Sequence, residues 1–171
     1  MNKKGKIILF FTCCIAFITC DRVTKEFAKT HLQGSESMSY FHDTFRLMYV
    51  ENTGAALSIG DTLPKTVSFW LLSMLPLFFL CVVAIYSIKH LAQMGTMKIL
   101  SLCMIFSGGI GNIIDRIVFD RHVTDFMNMG IGDIRTGIFN VADVFVTSGV
   151  IGLLIFFKDN NKIETVQKTV E

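Results

Sequence analysis

The sequence predicts an all-α polytopic membrane protein with four transmembrane helices and a small β-sheet outside the bilayer, and three observations predict it. Val67 to Ile88 is a run of 22 residues without a charge. At ~1.5 Å per residue such a helix reaches ~33 Å, enough to cross a hydrocarbon core of about 30 Å. Three further nearly charge-free runs, Ile7 to Cys20, Ile99 to Ile114 and Val144 to Phe157, hold 14 to 16 residues each. Over the whole chain of 171 residues, 51% are apolar and 18% charged, where about 25% charge is usual in a soluble domain.

The length and continuity of pattern predict one membrane-embedded domain, residues 1–171, with spans at about 7–25, 67–88, 99–118 and 140–157. Sixteen Phe and nine Met with so little charge exclude disorder. A net charge of +2 leaves no basic surplus for nucleic acid. Cys13, Cys14, Cys20, Cys81 and Cys103 are an odd number and all fall in spans, which suits packing better than disulfides. No His-Glu-x-x-His and no Cys/His spacing for zinc occurs, so neither a metal nor a cofactor is expected.

The first span opens with Lys3, Lys4 and Lys6. A secretory signal is its competing reading, but Phe17, Ile18 and Thr19 before Cys20 are poor cleavage residues and three spans follow. Lys89 and Lys98 flank the turn after the second span, and Lys158, Lys162 and Lys168 follow the fourth, so both termini read as cytoplasmic. Pro76, inside the second span, reads as a tolerated kink. The outer segments are then about 26–66 and 119–139. In the first, Thr44 to Val50 reads as a strand, part of a small sheet on the membrane surface. In the second, Gly130, Gly132 and Gly137 suggest a mobile loop or lid.

The short spans become long enough only by continuing through polar residues: Asp21 to Lys25, Asp115 and Arg116, and Asn140 to Asp143. Ionisable groups at that depth are candidates for function, because burying them unpaired costs several kcal/mol. Asn112, Asp115 and Arg116 share one helical face by their i, i+3 and i, i+4 spacing, as do Asn140 and Asp143. A headgroup-level Asp115–Arg116 pair, a hydrogen-bonded structural Asp143 and a plain Asp21–Lys25 ion pair are the plainer readings. Ser107, Gly108, Gly109 and Gly111 suit close helix approach, not phosphate binding. Asp125 and Asp143 together offer the two carboxylates of an aspartic hydrolase, one activating water and the other protonating a carbonyl oxygen. Eighteen residues of spacing do not by themselves bring the two together. A small transporter or a membrane scaffold is the rival reading, although no inverted halves are visible. The Gly130–Asp133 sequence GIGD resembles the presenilin motif but lies in a polar segment, and no Gly-x-Ser-x-Gly occurs.

DRVTK from Asp21, ENTGAALS from Glu51, GGIGNIIDR from Gly108, HVTDF from His122 and FNVADV from Phe139 resemble, in order, the motifs of the bacterial lipoprotein signal peptidases, the type II signal peptidases. The resemblance implies an aspartic endopeptidase of the bacterial cytoplasmic membrane with Asp125 and Asp143 as its catalytic pair. It further implies supporting or substrate-binding roles for Asp21, Lys25, Asn52, Asn112, Asp115, Arg116 and Asn140. Diacylglyceryl-modified prolipoproteins would be the substrates, membrane lipid the surroundings, and globomycin-type cyclic peptides the inhibitors. An outer sheet or cradle and a short outer helix belong to the implied fold. Two departures stand out: IVFDRHVT, between Arg116 and Asp125, lacks the glycine usual in the family and runs one residue longer, and Leu57 stands where Phe is commoner.

Overall fold

Helix α1 runs from Lys3 to Leu32, strands β1 and β2 from Met38 to Tyr40 and Phe45 to Asn52, and α2 from Lys65 to Gln93. Helix α3, Thr96–Val118, leads into β3, Val123–Ile131, and β4, Ile134–Arg135; α4, Val141–Phe156, follows. The computed structural model describes residues 1–55 and 60–156. Residues 56 to 58 of ENTGAALS, Leu57 included, and Lys158, Lys162 and Lys168 lie outside the described residues.

Helices α1, α2 and α3 are each long and apolar enough to cross a membrane, and α4 is a shorter apolar helix. Ile8, Phe11, Phe78, Phe79 and Leu154 point away from the bundle, as side chains facing lipid do. Helix α3 is central and packs against the other three. Small residues allow this: a Cβ on Gly108 would run into the Ala142 carbonyl and Val146 of α4, and one on Gly109 into Leu80 of α2. At one end Lys6 Nζ donates to the Ala92 and Met94 carbonyls, 2.7 and 2.8 Å away, tying the start of α1 to the α2–α3 turn. Beneath this tie Phe10, Cys14, Leu91, Met94, Ile99, Leu102 and Cys103 form a closed apolar cluster.

Within α2 the turn Trp70–Met74 widens, the Leu75 N–H bonding back to the Trp70 carbonyl. Pro76 explains it. Its ring would strike the carbonyl four residues back in a regular helix, and a wider turn relieves the clash.

The sheet sits at the other end. Four antiparallel strands in chain order join the two outer segments, with β2 and β3 paired from Phe45↔Met129 to Asn52↔Val123. The segment 119–139 is therefore not a mobile loop. Val123–Phe126 is buried on both sides, between β2 and the end of α1, and this pairing is what a glycine count misses. Gly132, at φ +56°, makes the β3–β4 turn, Gly130 pairs with Arg135 beside it, and Gly137 lies beyond β4 in the wall of a cavity. Strand β2 starts one residue after the predicted strand and ends two residues later. Helix α1 continues to Leu32, seven residues beyond the predicted span, because Ala28 and Leu32 pack on Phe126. The short outer helix is not a separate element among the described residues; the last turns of α1 are the helical part of that layer.

Candidate active site

FNVADV begins α4 with a reciprocal cap. Asn140 is the residue before the helix, and its side-chain oxygen accepts the Asp143 N–H at 3.1 Å. Asp143 Oδ2 in turn accepts the Asn140 N–H at 3.0 Å. Two otherwise unpaired backbone donors are satisfied, and the Asp143 carboxylate is fixed in the first turn, where the helix dipole favours negative charge. The Ala142 N–H, also unpaired within the helix, goes to Asp21 Oδ1 of α1 at 3.0 Å. Asp21 thus caps a helix 121 residues away in sequence.

Asp125 reaches the same place from the sheet. Asn140 Nδ2 donates to Asp125 Oδ1 at 2.6 Å, and Asn52 Nδ2 donates to Asp125 Oδ2 at 3.0 Å. Asn52 and Asp125 share a sheet face because their ladder partners, Val123 and Val50, lie two residues from each of them. Asn112 of α3 completes the ring: its Nδ2 donates to Asp143 Oδ1 at 2.8 Å, and its Oδ1 accepts from Asn140 Nδ2 at 3.1 Å. Both aspartates line one cavity of about 450 Å³, with Arg116, Asn52, Asn112 and Pro76 in its walls. Arg116 donates to the Gly54 carbonyl at 3.0 Å and so holds the segment after Asn52.

Burial pushes the Asp125 carboxyl up to about 6, against the Asn52 bond, which favours its ionised form; the Asp143 charge pushes the same way as burial.

A buried ion cluster backs the ring. Lys25 Nζ sits 3.0 Å from Asp21 Oδ2 and 2.7 Å from Asp115 Oδ2, and Arg22 bonds the same two carboxylates. Lys25 Nζ also donates to Asn112 Oδ1 at 2.9 Å. Four charges, two of each sign, thereby compensate one another.

Asn52, Asn112, Arg116, Asp125, Asn140 and Asp143 therefore converge, while Lys25 and Asp21 reach the pair through one intermediary each. Asp115 does not join them. From Asn112 a helix turns about −60° to residue 115 and about +40° to residue 116, so Arg116 faces the cavity and Asp115 faces α1. The expected Asp115–Arg116 pair is replaced by Asp115 with Lys25 and Arg22. Arg22 belongs to the cluster as well, and its place beside Asp21 in an apolar helix is the sequence signal that points to it.

A family model described as "Signal peptidase (SPase) II" matches residues 13–158, the stretch that holds every residue of the site. The lipoprotein signal peptidase of Borreliella burgdorferi is 32% identical over 162 residues, covering 91% of this chain and 94% of its own. That of Streptococcus agalactiae is 34% identical over 145 residues, covering 82% and 86%. A solved bacterial membrane enzyme matches with a TM-score of 0.74 at 25% identity, covering 90% of this chain and 94% of that one.

Proposed function

The chain belongs to the signal peptidase II family, and from that premise we propose that Asp125 and Asp143 are the aspartate pair with which this membrane endopeptidase removes signal peptides from prolipoproteins. One observation carries the assignment. The fully buried Asn140 bonds to both carboxylates, by Nδ2 to Asp125 and by its backbone N–H to Asp143, in a cavity open to a third party.

With one proton between them, the pair does both halves of the chemistry. The ionised carboxylate takes a proton from water as its oxygen attacks the scissile carbonyl carbon, and the protonated carboxyl donates to the carbonyl oxygen. The tetrahedral species then breaks its C–N bond as a proton passes to the departing nitrogen. Burial and the neighbouring Asp143 charge let Asp125 keep a proton to near-neutral pH, although the titration belongs to the pair. Asn52, Asn112 and Asn140 hold the carboxylates in place, Arg116 adds positive charge at the cavity wall, and Lys25, Asp21 and Asp115 fix α1, α3 and α4 around them.

The substrate bond lies on the N-terminal side of a diacylglyceryl-modified cysteine. Its lipid chains stay in the outer leaflet and its signal helix enters between spans, so it is confined and oriented before reaction. Globomycin-type cyclic peptides occupy the same cavity. The protein sits in the bacterial cytoplasmic membrane with both termini inside and the sheet outside, a reading supported by Lys3, Lys4 and Lys6 at the start of α1 and by Lys89 and Lys98 around the α2–α3 turn. The reading of residues 1–171 as one domain is supported by the packing of every helix among the described residues on α3.

The test is cleavage of a diacylglyceryl-modified prolipoprotein by purified protein in detergent, comparing wild type with Asp125→Asn and Asp143→Asn at verified folding. Loss of cleavage in both variants with substrate binding retained is the expected outcome. Full activity in either variant removes that residue from the mechanism.

A further inference from the structure

The sheet has a free edge beside the catalytic cavity. Strand β4 is last in the strand order, and among the described residues no strand pairs with its outer side. The chain keeps to this edge after β4, anchored at two places. The Thr136 N–H donates to the Met129 carbonyl at 2.7 Å, and the Thr136 carbonyl accepts from Asn128 Nδ2 at 2.7 Å. The Phe139 N–H donates to the Met127 carbonyl at 2.8 Å, and the Phe139 carbonyl accepts the N–H groups of Phe126 and Met127. From Thr136 to Phe139 the chain advances three residues while β3 opposite, from Met129 to Met127, advances two, so the stretch between the anchors is a bulge.

Gly137 and Ile138 are that stretch. Neither the N–H nor the C=O of either residue has a hydrogen-bond partner among the described residues. Both residues line the cavity that holds Asp125 and Asp143. The same edge runs into the catalytic ring: Phe126, next to Asp125, bonds to Phe139, and Asn140, next to Phe139, holds both carboxylates. Gly137 does not have a positive φ, so its backbone does not demand glycine. What glycine supplies there is an edge with no side chain over it.

Unpaired main-chain groups on a sheet edge are a template for one more strand, which lies about 4.8 Å outside the edge. In the reading above the substrate's signal helix stays among the spans, so the part of the substrate that leaves the membrane passes the sheet. We propose, on the assignment of Asp125 and Asp143 made above, that Gly137 and Ile138 bind the substrate main chain on the C-terminal side of the scissile bond. The modified cysteine and the residue after it add to the edge as a short extended strand. Contacts of this kind use only N–H and C=O, so they hold the scissile bond at the carboxylates whatever side chain follows the cysteine.

The experiment uses the full protein in detergent and two synthetic diacylglyceryl-modified prolipopeptides. They are alike except that an ester oxygen replaces the amide N–H of the residue after the cysteine, which leaves the scissile bond unchanged. The ester substrate is expected to show a KM about fivefold higher with little change in kcat, the size of one lost hydrogen bond. Gly137→Val, which puts a branched side chain over the edge, should raise KM for the amide substrate and bring the two substrates level. Ile138→Ala keeps the main chain and should discriminate between them as wild type does. Equal KM for the two substrates in wild type overturns the proposal and leaves the aspartate pair standing. So does discrimination that survives unchanged in folded Gly137→Val. Failure of wild type to cleave the amide substrate at all overturns the assignment of the pair along with it.

Discussion

Lys25 Nζ donates to Asn112 Oδ1 at 2.9 Å, and this bond decides which end of the Asn112 amide meets Asp143. An ammonium is a donor only, so the amide must turn its oxygen towards Lys25 and its nitrogen towards the Asp143 carboxylate, 2.8 Å away. A lysine on α1 thus sets the polarity of a contact between α3 and α4.

Lys25→Met removes that instruction and leaves Asp21 and Asp115 with Arg22 alone. Breaking a buried ion pair in this way is expected to cost about 3–5 kcal/mol of stability. The rate should fall further than the folded fraction. Thermal unfolding in detergent beside kcat on the folded fraction separates the two effects, and an unchanged kcat would make Lys25 a purely structural residue.

The pH profile of cleavage carries its own sign. The reaction needs one proton on the pair, and Asp125, raised to about 6, releases it as pH climbs; kcat/KM should therefore fall on the alkaline side with a midpoint near 6. Asn52 donates to the ionised form of Asp125. Asn52→Ala should push the carboxyl higher and move the limb towards alkaline pH. A lower rate at every pH with an unmoved limb would show that Asn52 only shapes the cavity.

Gly108→Ala tests the α3–α4 contact. The added methyl would meet Val146 Cγ2 at 2.8 Å and the Ala142 carbonyl as well, so the helices must part. Asn112 lies one turn beyond Gly108, and Asp143 is next to Ala142. A loss of about 1–3 kcal/mol should come with reduced cleavage. Gly95→Ala, with nothing within 4 Å of its added methyl, is the control without a clash and loses only the modest N-cap preference for glycine; equal melting temperatures for the two variants would refute the close approach.

The turn from α3 to β3 puts two non-glycine residues in the left-handed region, Asp120 at φ +48° and Arg121 at φ +79°. This is the stretch in which the resemblance leads us to expect a glycine. Arg121→Gly should relieve about 1 kcal/mol of strain and raise the melting temperature, although it gives up the 3.4 Å bond from Arg121 to the Thr53 carbonyl. Arg121→Val, which places a branched side chain at positive φ, should lower it. The opposite order would show that the bond to Thr53 outweighs the strain.

The sequence by itself determined whatever depends on near neighbours along the chain. Charge-free length placed the helices, and the i, i+3 spacing of Asn140 and Asp143 marked what proved to be a reciprocal helix cap. The i, i+4 spacing of Asp21 and Lys25 put both on one face, where they form an ion pair. The β-branched and aromatic residues of Thr44 to Val50 marked a strand, observed as Phe45–Asn52. These are short-range consequences of a fixed helical pitch and a two-residue pleat.

Only the tertiary structure decided which faces meet. It separated Asp115 from Arg116, brought in Arg22, and turned 119–139 into a hairpin by giving it β2 as a partner. Above all it brought Asp125 and Asp143 onto one asparagine. Nothing in their spacing of 18 residues fixes that meeting, because it requires a strand pairing between segments some 73 residues apart and a helix start held by Asp21 on another helix. Such contacts depend on how whole elements pack, and no periodicity along the chain records that.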